Sequence, residues 1–182
     1  HDTDIIDIGG ESTRPGSDPV SIEDEWQRVK PALSVAAGYP GLLVSIDTQK
    51  AEIARRALSE GATIVNDVSG LRDPEMPALV AKAQCPTIVM HMRGSPKTMQ
   101  QGDISYDDIC ADIAASLKES LTKAMDAGLA PDKLIVDPGI GFGKNLTHNL
   151  ILTRELHRFH ALGTPVLYGP SRKRFLGELT GK

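Results

Sequence analysis

The sequence has 182 residues, of which 40% are hydrophobic and 4% aromatic, and this length suits one globular domain with a substantial core. Its formal net charge of -4 and its pI of about 5.7 argue against a surface that binds nucleic acid. No apolar run approaches transmembrane length, and two cysteines are too few for a disulfide framework or a cysteine-based zinc site. We therefore expect one domain over residues 1–182, a cytoplasmic location, and neither a nucleic-acid nor a membrane partner.

The first predicted unit is a short strand over residues 4–8, which leads into the loop 9–16. This loop is rich in hydroxyl groups and glycines and contains one arginine. Such a loop can bind an anion, although an ordinary turn in which Arg14 pairs with Glu11 explains it equally well. A helix is expected to follow, with Ser21 as its N-cap and acidic residues in its first turn.

Three further segments repeat this alternation of a strand and a helix. The predicted strands cover residues 42–48, 63–67 and 87–91, and the predicted helices cover about 50–59 and 74–83. Polar side chains end each strand: Asp47 in the first, Asn66 and Asp67 in the second, and His91 in the third. The lone imidazole of His91 is better explained as a hydrogen-bonded core histidine than as a catalytic group.

The next helix is predicted over residues 106–127, where an apolar stripe recurs every fourth residue and should face the core. Its members are Ile109, Ile113, Leu117, Leu121 and Met125. An apolar strand then ends at Asp137, and a turn over 138–145 carries alternate glycines around Phe142. The glycines would let a flat ligand approach the backbone, with Phe142 offering an aromatic face. The alternative is a flexible turn in which Asp137 caps the helix predicted from about residue 147.

Two cofactor patterns are absent from this part of the sequence. A dinucleotide-binding fingerprint requires glycine where Lys144 stands, and a P-loop requires serine or threonine where Asn145 stands. His157 and His160 share a helix face but lack a neighbouring carboxylate pattern, so we interpret them as surface residues and assign no zinc site.

A sixth strand is predicted at residues 165–168, followed by Ser171, Arg172 and Lys173. Six alternations of strand and helix predict a parallel sheet with helices outside it. Nearly every strand ends in polar residues, which favours a closed barrel over an open doubly wound sheet with a single crevice. We therefore predict an α/β fold, a (β/α)8 TIM barrel with about six of its eight units present, since such a barrel needs roughly 250 residues.

The polar strand ends suggest a ligand. Two aspartates and one asparagine suit a flat heterocycle with an amidine-like edge, because a carboxylate accepts paired N–H bonds and a carboxamide both donates and accepts. Lys173 would donate to an acceptor such as a ring carbonyl. Thr13, Arg14 and Ser171 would donate to a phosphate group at the rim. The expected site therefore pairs a buried polar ring with an outer anion.

These residues lie in motifs that resemble those of the dihydropteroate synthase family. The motifs span almost the whole sequence in order: residues 7–16, 45–48, 66–67, 90–92 with 96–100, 137–145 and 171–173. The resemblance implies a β/α barrel and a transferase of folate biosynthesis. Such an enzyme condenses 4-aminobenzoate with (7,8-dihydropterin-6-yl)methyl diphosphate to give 7,8-dihydropteroate and diphosphate, and Mg2+ assists the loss of diphosphate.

The resemblance also implies roles for individual residues. Those expected to bind the pterin are Asp47, Asn66, Asp137 and Lys173, and three of them, Asp47, Asp137 and Lys173, are expected to act in catalysis beside a pterin-methyl cation. Those expected to bind the diphosphate and the aminobenzoate are Thr13, Arg14, Pro15, Phe142, Ser171 and Arg172. Arg174 stands where some relatives have serine, at the outer wall of the aminobenzoate pocket. Sulfonamides would compete for that pocket, and the resemblance implies a homodimer.

Two parts of the family pattern are expected outside this sequence. A first strand with an asparagine-containing, metal-binding loop should precede His1, so the metal ligand is not identified, and a last strand with an Arg-x-His diphosphate motif should follow Lys182. The chain alone is therefore not expected to catalyse the reaction. The alternatives are a pterin-binding corrinoid-linked methyltransferase, which needs no diphosphate site, and a non-catalytic pterin-binding module. The loop 12–16 and the segment 171–173 favour the synthase.

Overall fold

The computed structural model describes residues 3–181, so the ends of the expected domain, residues 1–2 and 182, lie outside it. Five parallel strands form one sheet: β1 (Ile5–Gly9), β2 (Leu43–Asp47), β3 (Ile64–Asp67), β4 (Thr87–Met90) and β5 (Leu134–Asp137). The α-helices are α1 (Ile22–Ala36), α2 (Ala51–Ser59), α3 (Met76–Ala83), α4 (Ile109–Asp126), α5 (Leu146–Arg154) and α6 (Arg174–Thr180). Two 3-10 helices cover Pro131–Lys133 and Leu156–Leu162.

The order of the strands in the sheet is their order in the sequence, β1-β2-β3-β4-β5, and every pair is parallel. A doubly wound sheet reverses its strand order at a switch point, whereas a β/α barrel adds each strand beside the last. The observed order is therefore that of a barrel. Its polar strand ends all lie at the same edge of the sheet, where a barrel carries its chemistry.

The sixth predicted strand, at residues 165–168, is wrong as a strand. Val166 forms only an isolated parallel bridge with Val136 of β5. Val136 donates to the Pro165 carbonyl at 3.0 Å and accepts from the Leu167 amide at 2.8 Å, which completes the contact. Pro165 has no amide hydrogen, and Pro170 follows shortly, so little of this segment can extend a ladder.

Capping side chains mark the starts of α1, α4 and α5. Ser21 accepts from the Asp24 amide as the predicted N-cap of α1. Asp108 caps α4 by accepting from two amides of its first turn, which starts this helix later than the predicted residue 106. Asn145 and His148 form a capping box that starts α5. Within residues 3–181, no helix combines the length and apolarity needed to cross a membrane.

The core lies between the sheet and the helices, and the predicted apolar stripe of α4 contributes to it. Ile109, Ile113, Leu117 and Leu121 are buried as expected, but Met125 is 42% exposed. Each fourth residue lies about 40° further around an α-helix. The stripe has therefore rotated away from the core by its fifth member.

Glycines let the ends of β4 and β5 approach each other closely. Gly139 and Gly143, which follow β5, have φ angles of +70° and +72°. A Cβ atom at Gly139 would overlap the carbonyl oxygen of His91, and one at Gly143 would overlap the side chain of Arg93. The glycines thus leave room for the residues that follow β4 to pack against the turn after β5. This packing fixes the position of the turn, which carries Phe142.

Gly139→Ala should lower the free energy of unfolding more than Gly163→Ala does. Both glycines have left-handed backbones, and Gly163 has φ +77° with no heavy atom within 4 Å of a Cβ position among the described residues. The left-handed conformation alone costs about 1–2 kcal/mol, and the overlap at Gly139 adds about 1–3 kcal/mol. Urea titration of both variants measures the difference. Equal losses would show that the close approach of the strand ends is not required.

Candidate active site

The four predicted pterin-binding residues come together at the carboxyl ends of the strands. Asp47 is the last residue of β2 and is the register partner of Asn66 on β3, while Asp137 is the last residue of β5. The charges of both carboxylates act on Lys173 and oppose the lowering of its pKa by burial. We call these four residues the strand-end floor. Asn66 also donates to the Asp7 carboxylate at 3.1 Å.

Asp47 carries the strongest electrostatic perturbation of the floor. Its Oδ1 is buried and has no hydrogen-bond partner among residues 3–181. Burial raises the pKa of Asp47 to about 7, and the carboxylates of Asp7, Glu25 and Asp67 add to the effect, while Lys173 opposes it. A buried acceptor without a donor is costly in the absence of a ligand. A ligand with N–H groups at this position would remove that cost.

Asp137 is partly satisfied by the turn that follows it. One oxygen of its carboxylate accepts from the Gly139 amide at 2.7 Å. Burial nevertheless raises the pKa of Asp137 to about 6, against that hydrogen bond and the charges of Lys144 and Lys173. The alternative role of Asp137 as a helix cap is wrong, because Asn145 caps α5.

A cavity of about 830 Å3 lies beside the floor. All the predicted diphosphate and aminobenzoate residues line it, together with Lys173: Thr13, Arg14, Pro15, Phe142, Ser171 and Arg172. Asp47, Asn66 and Asp137 do not line it. Lys173 therefore belongs to both groups, and its Nζ lies 4.1 Å from the centre of the Phe142 ring. The structure thus separates a carboxylate-rich floor from a cavity rich in cations.

The loop that carries Arg14 is not the ordinary turn of the alternative interpretation. Glu11 pairs with Lys50 instead of Arg14. Arg14 and Arg172 are both exposed at the cavity, and Arg172 has a left-handed backbone with φ +54°. Arg174 also lines the cavity, and its guanidinium pairs with Glu178 at 2.8 Å. These arginines give the cavity the charge expected of an anion site.

Sequence reasoning missed Lys144, which is 3% exposed and lines the cavity. Its Nζ lies 2.9 Å from Nδ1 of His91 and donates to the Phe142 carbonyl at 2.9 Å. Burial lowers the pKa of Lys144 to about 7 and that of His91 to about 3. His91 is therefore a neutral, hydrogen-bonded histidine, as its sequence context indicated. The glycine-lysine pair was the available signal for Lys144, but no known phosphate motif matched it.

The described residues offer no ready-made metal centre. Across residues 3–181, no group of three or more His, Cys, Asp or Glu side chains is placed to hold a metal ion. His157 and His160 are exposed, as predicted. No set of side chains among these residues is therefore assigned as ligands of Mg2+.

A barrel-ordered parallel sheet with acidic strand ends defines a β/α-barrel ligand-binding protein. The family model described as "Pterin binding enzyme" matches residues 3–182. The chain belongs to this pterin-binding enzyme family.

Curated and structural relatives agree with the family. The chain is 44% identical over 175 residues to dihydropteroate synthase of Escherichia coli strain K12, a match that covers 96% of this chain and 62% of that protein. Yersinia pestis dihydropteroate synthase in a sulfonamide drug complex superposes with a TM-score of 0.94 at 40% sequence identity. This match covers 98% of this chain and 65% of that chain. Xanthomonas albilineans dihydropteroate synthase with 4-aminobenzoic acid superposes with a TM-score of 0.91 at 43% sequence identity. This match covers 98% of this chain and 63% of that chain. The chain thus has the fold of these barrels but spans less than two thirds of their length.

Asp47→Asn should stabilise the protein increasingly as the pH rises. The folded state keeps Asp47 protonated above the pKa of 3.8 that an unperturbed Asp has, up to about 7. The stability contributed by the neutral carboxyl is fully present below about pH 3.8 and is lost as the pH rises through 7. Asparagine cannot ionise, so its gain over aspartate should reach on the order of 1–4 kcal/mol at pH 8. Urea titrations between pH 5 and 8 measure it.

Asp132→Asn, at an exposed position, is the matched control for this series. It should change the free energy of unfolding by no more than about 0.5 kcal/mol. A gain at Asp47 that does not vary with pH would show that burial does not keep this carboxyl neutral.

Proposed function

We propose that this protein is a dihydropteroate synthase, which condenses 4-aminobenzoate with (7,8-dihydropterin-6-yl)methyl diphosphate. The observation that carries the proposal is the strand-end floor, where the buried Oδ1 of Asp47 has no donor among residues 3–181, beside a cavity lined by Arg14, Arg172 and Lys173. One substrate that has both an N–H-rich ring and a diphosphate suits both halves. Family membership and the named relatives support the same assignment.

The floor would bind the pterin ring. Asp47 and Asp137 would accept from its N–H groups, Asn66 would complete the polar edge, and Lys173 would donate to the ring carbonyl. Ionised carboxylates beside the ring would also stabilise positive charge that develops as diphosphate leaves. Pairing with ring donors favours ionised Asp, so binding should lower both raised pKa values.

The cavity would hold the other reacting groups. Arg14 and Arg172, with the hydroxyls of Thr13 and Ser171, would bind the diphosphate as its bond to the pterin methylene carbon breaks. Pro15, Phe142 and Lys173 would line the space for 4-aminobenzoate. Its amine nitrogen then forms the new bond to that carbon and releases a proton. Mg2+ would supply charge for the leaving diphosphate.

The cation-lined cavity favours the synthase over the two alternatives. A corrinoid-linked methyltransferase needs no diphosphate site, and a non-catalytic pterin-binding module needs no second cavity beside its ring site. Sulfonamides, which are bound by the Yersinia pestis relative, should compete with 4-aminobenzoate here. We also propose a single barrel domain, a cytoplasmic location and a homodimer.

Asp137→Asn should weaken pterin binding in the complete protein by about 1–3 kcal/mol, because the amide presents an N–H toward a ring donor and leaves a buried mismatch. Calorimetry with a pterin ligand measures the loss, and exposed Asp132→Asn is the control. Synthase assays with both substrates should show the same rank order. A wild-type protein that binds pterin but forms no dihydropteroate would favour the non-catalytic module, and unchanged affinity in Asp137→Asn would remove Asp137 from the site.

Sulfonamide binding should depend on diphosphate. The walls of the aminobenzoate site come from the loop 13–16 and the segment 171–174, whose exposed cations an anion would draw together, whereas the pterin floor lies on strand ends. Titrating a sulfonamide with and without diphosphate and Mg2+ should reveal a coupling of about 1–3 kcal/mol. Equal affinities under both conditions would indicate a preformed pocket.

A further inference from the structure

A buried cluster of charges lies behind the loop that carries Arg14. Glu25 of α1 is 0% exposed and accepts a hydrogen bond from the Thr48 hydroxyl at 2.6 Å. Its other oxygen pairs with the ammonium group of Lys50, and the same ammonium group pairs with Glu11. We call the chain of contacts Glu11–Lys50–Glu25–Thr48 the ionic strap.

The ionic strap joins the two halves of the candidate active site. Thr48 directly follows Asp47 of the strand-end floor, and Glu11 lies three residues before Arg14 of the cavity wall. A second contact holds the base of the loop on α1, where Arg28 donates to the Gly10 carbonyl at 3.0 Å. The loop is therefore tied to the same helix that carries Glu25.

The two carboxylates of the strap differ in burial, and this difference decides which of them can be substituted. A wholly buried carboxylate is costly unless it is paired, so Glu25 retains Lys50 and the Thr48 hydroxyl. Glu11 is the second carboxylate on one ammonium group, and its side chain is 10% exposed. Burial opposes ionisation of Lys50, but the hydrogen bonds that its ammonium group donates to Glu11 and Glu25 raise the Lys50 pKa. Glu11 is thus the end of the strap that can be removed while the buried pair is kept.

We propose that Glu11 is a positioning residue, which acts through Lys50 and the buried Glu25 to hold Arg14 where the substrate's diphosphate lies. The strap therefore controls recognition of the diphosphate and leaves recognition of the pterin ring to the floor. This inference rests on the proposed function. It assigns a role to four residues, Glu11, Glu25, Thr48 and Lys50, that belong neither to the strand-end floor nor to the described lining of the cavity.

Glu11→Gln tests the strap, because glutamine keeps the length of the side chain and loses its charge. In the complete protein, affinity for (7,8-dihydropterin-6-yl)methyl diphosphate should fall about tenfold, while affinity for the same pterin without diphosphate should stay within about twofold. Calorimetry measures both ligands. Glu52→Gln on α2 is the matched control, since Glu52 pairs with Arg56 near the protein surface, and it should leave both affinities unchanged.

A double-mutant cycle shows whether the effect runs through Arg14. Arg14→Met alone should weaken binding of the pterin diphosphate, and adding Glu11→Gln should then cost less than about twofold more. Additive losses of affinity in the double mutant, equal losses for both ligands, or no loss in Glu11→Gln would each overturn the proposed positioning role of Glu11. Failure of the wild-type protein to bind either ligand would instead overturn the proposed function. Urea titration of each variant establishes that it is folded under the assay conditions.

Discussion

The candidate site depends on one constraint, the burial of two carboxylates whose hydrogen-bonding capacity the described part of the chain does not fully satisfy. Asp47 has a buried oxygen without a donor among the described residues, and Asp137 has one backbone donor. Lys173 opposes both pKa shifts, yet burial outweighs it and raises the pKa values to about 7 and about 6. Desolvation therefore wins over the nearby charge. A surface that is costly when empty is well suited to a ligand that supplies the missing donors.

The fold supplies this constraint through the parallel register. Adjacent parallel strands end at the same edge, so side chains distant in sequence, such as Asp47 and Asn66, become neighbours. Gly139 lets the turn after β5 approach His91, the residue that follows β4. The same turn places the Phe142 ring against the ammonium group of Lys173. Strand ends thus carry Asp47, Asn66 and Asp137 of the floor, whereas Lys173 and much of the cavity wall come from the loops that follow the strands.

Much of this arrangement was predictable because it follows from local patterns. Apolar runs that end in Asp47 or Asp137 identified strands and their polar ends, and Ser21 identified the start of α1. The prediction at residues 165–168 failed because apolar composition does not reveal whether a neighbouring strand can pair with a segment flanked by prolines. The stripe of α4 failed only at Met125, where small angular steps had accumulated.

Glu25 and Lys144 were not predictable in the same way. An acidic residue in the first turn of a helix is normally solvated, and only the tertiary structure shows that Glu25 is enclosed with Lys50 and Thr48. Lys144 is buried because its ammonium group meets His91 and the Phe142 carbonyl. Contacts between residues far apart in sequence decide both cases.

Carbon-13 NMR titration of the aspartate side chains gives the sharpest test of the unsatisfied floor. Without ligand, Asp47 and Asp137 should titrate near pH 7 and pH 6. With a saturating pterin, both should titrate at clearly lower pH, because ring N–H groups stabilise the ionised carboxylates. Titration of both groups near pH 3.8 without ligand, or pKa values that a bound pterin leaves unchanged, would contradict the central claim. That claim is that the ligand supplies the hydrogen-bond donors that these buried carboxylates lack among the described residues.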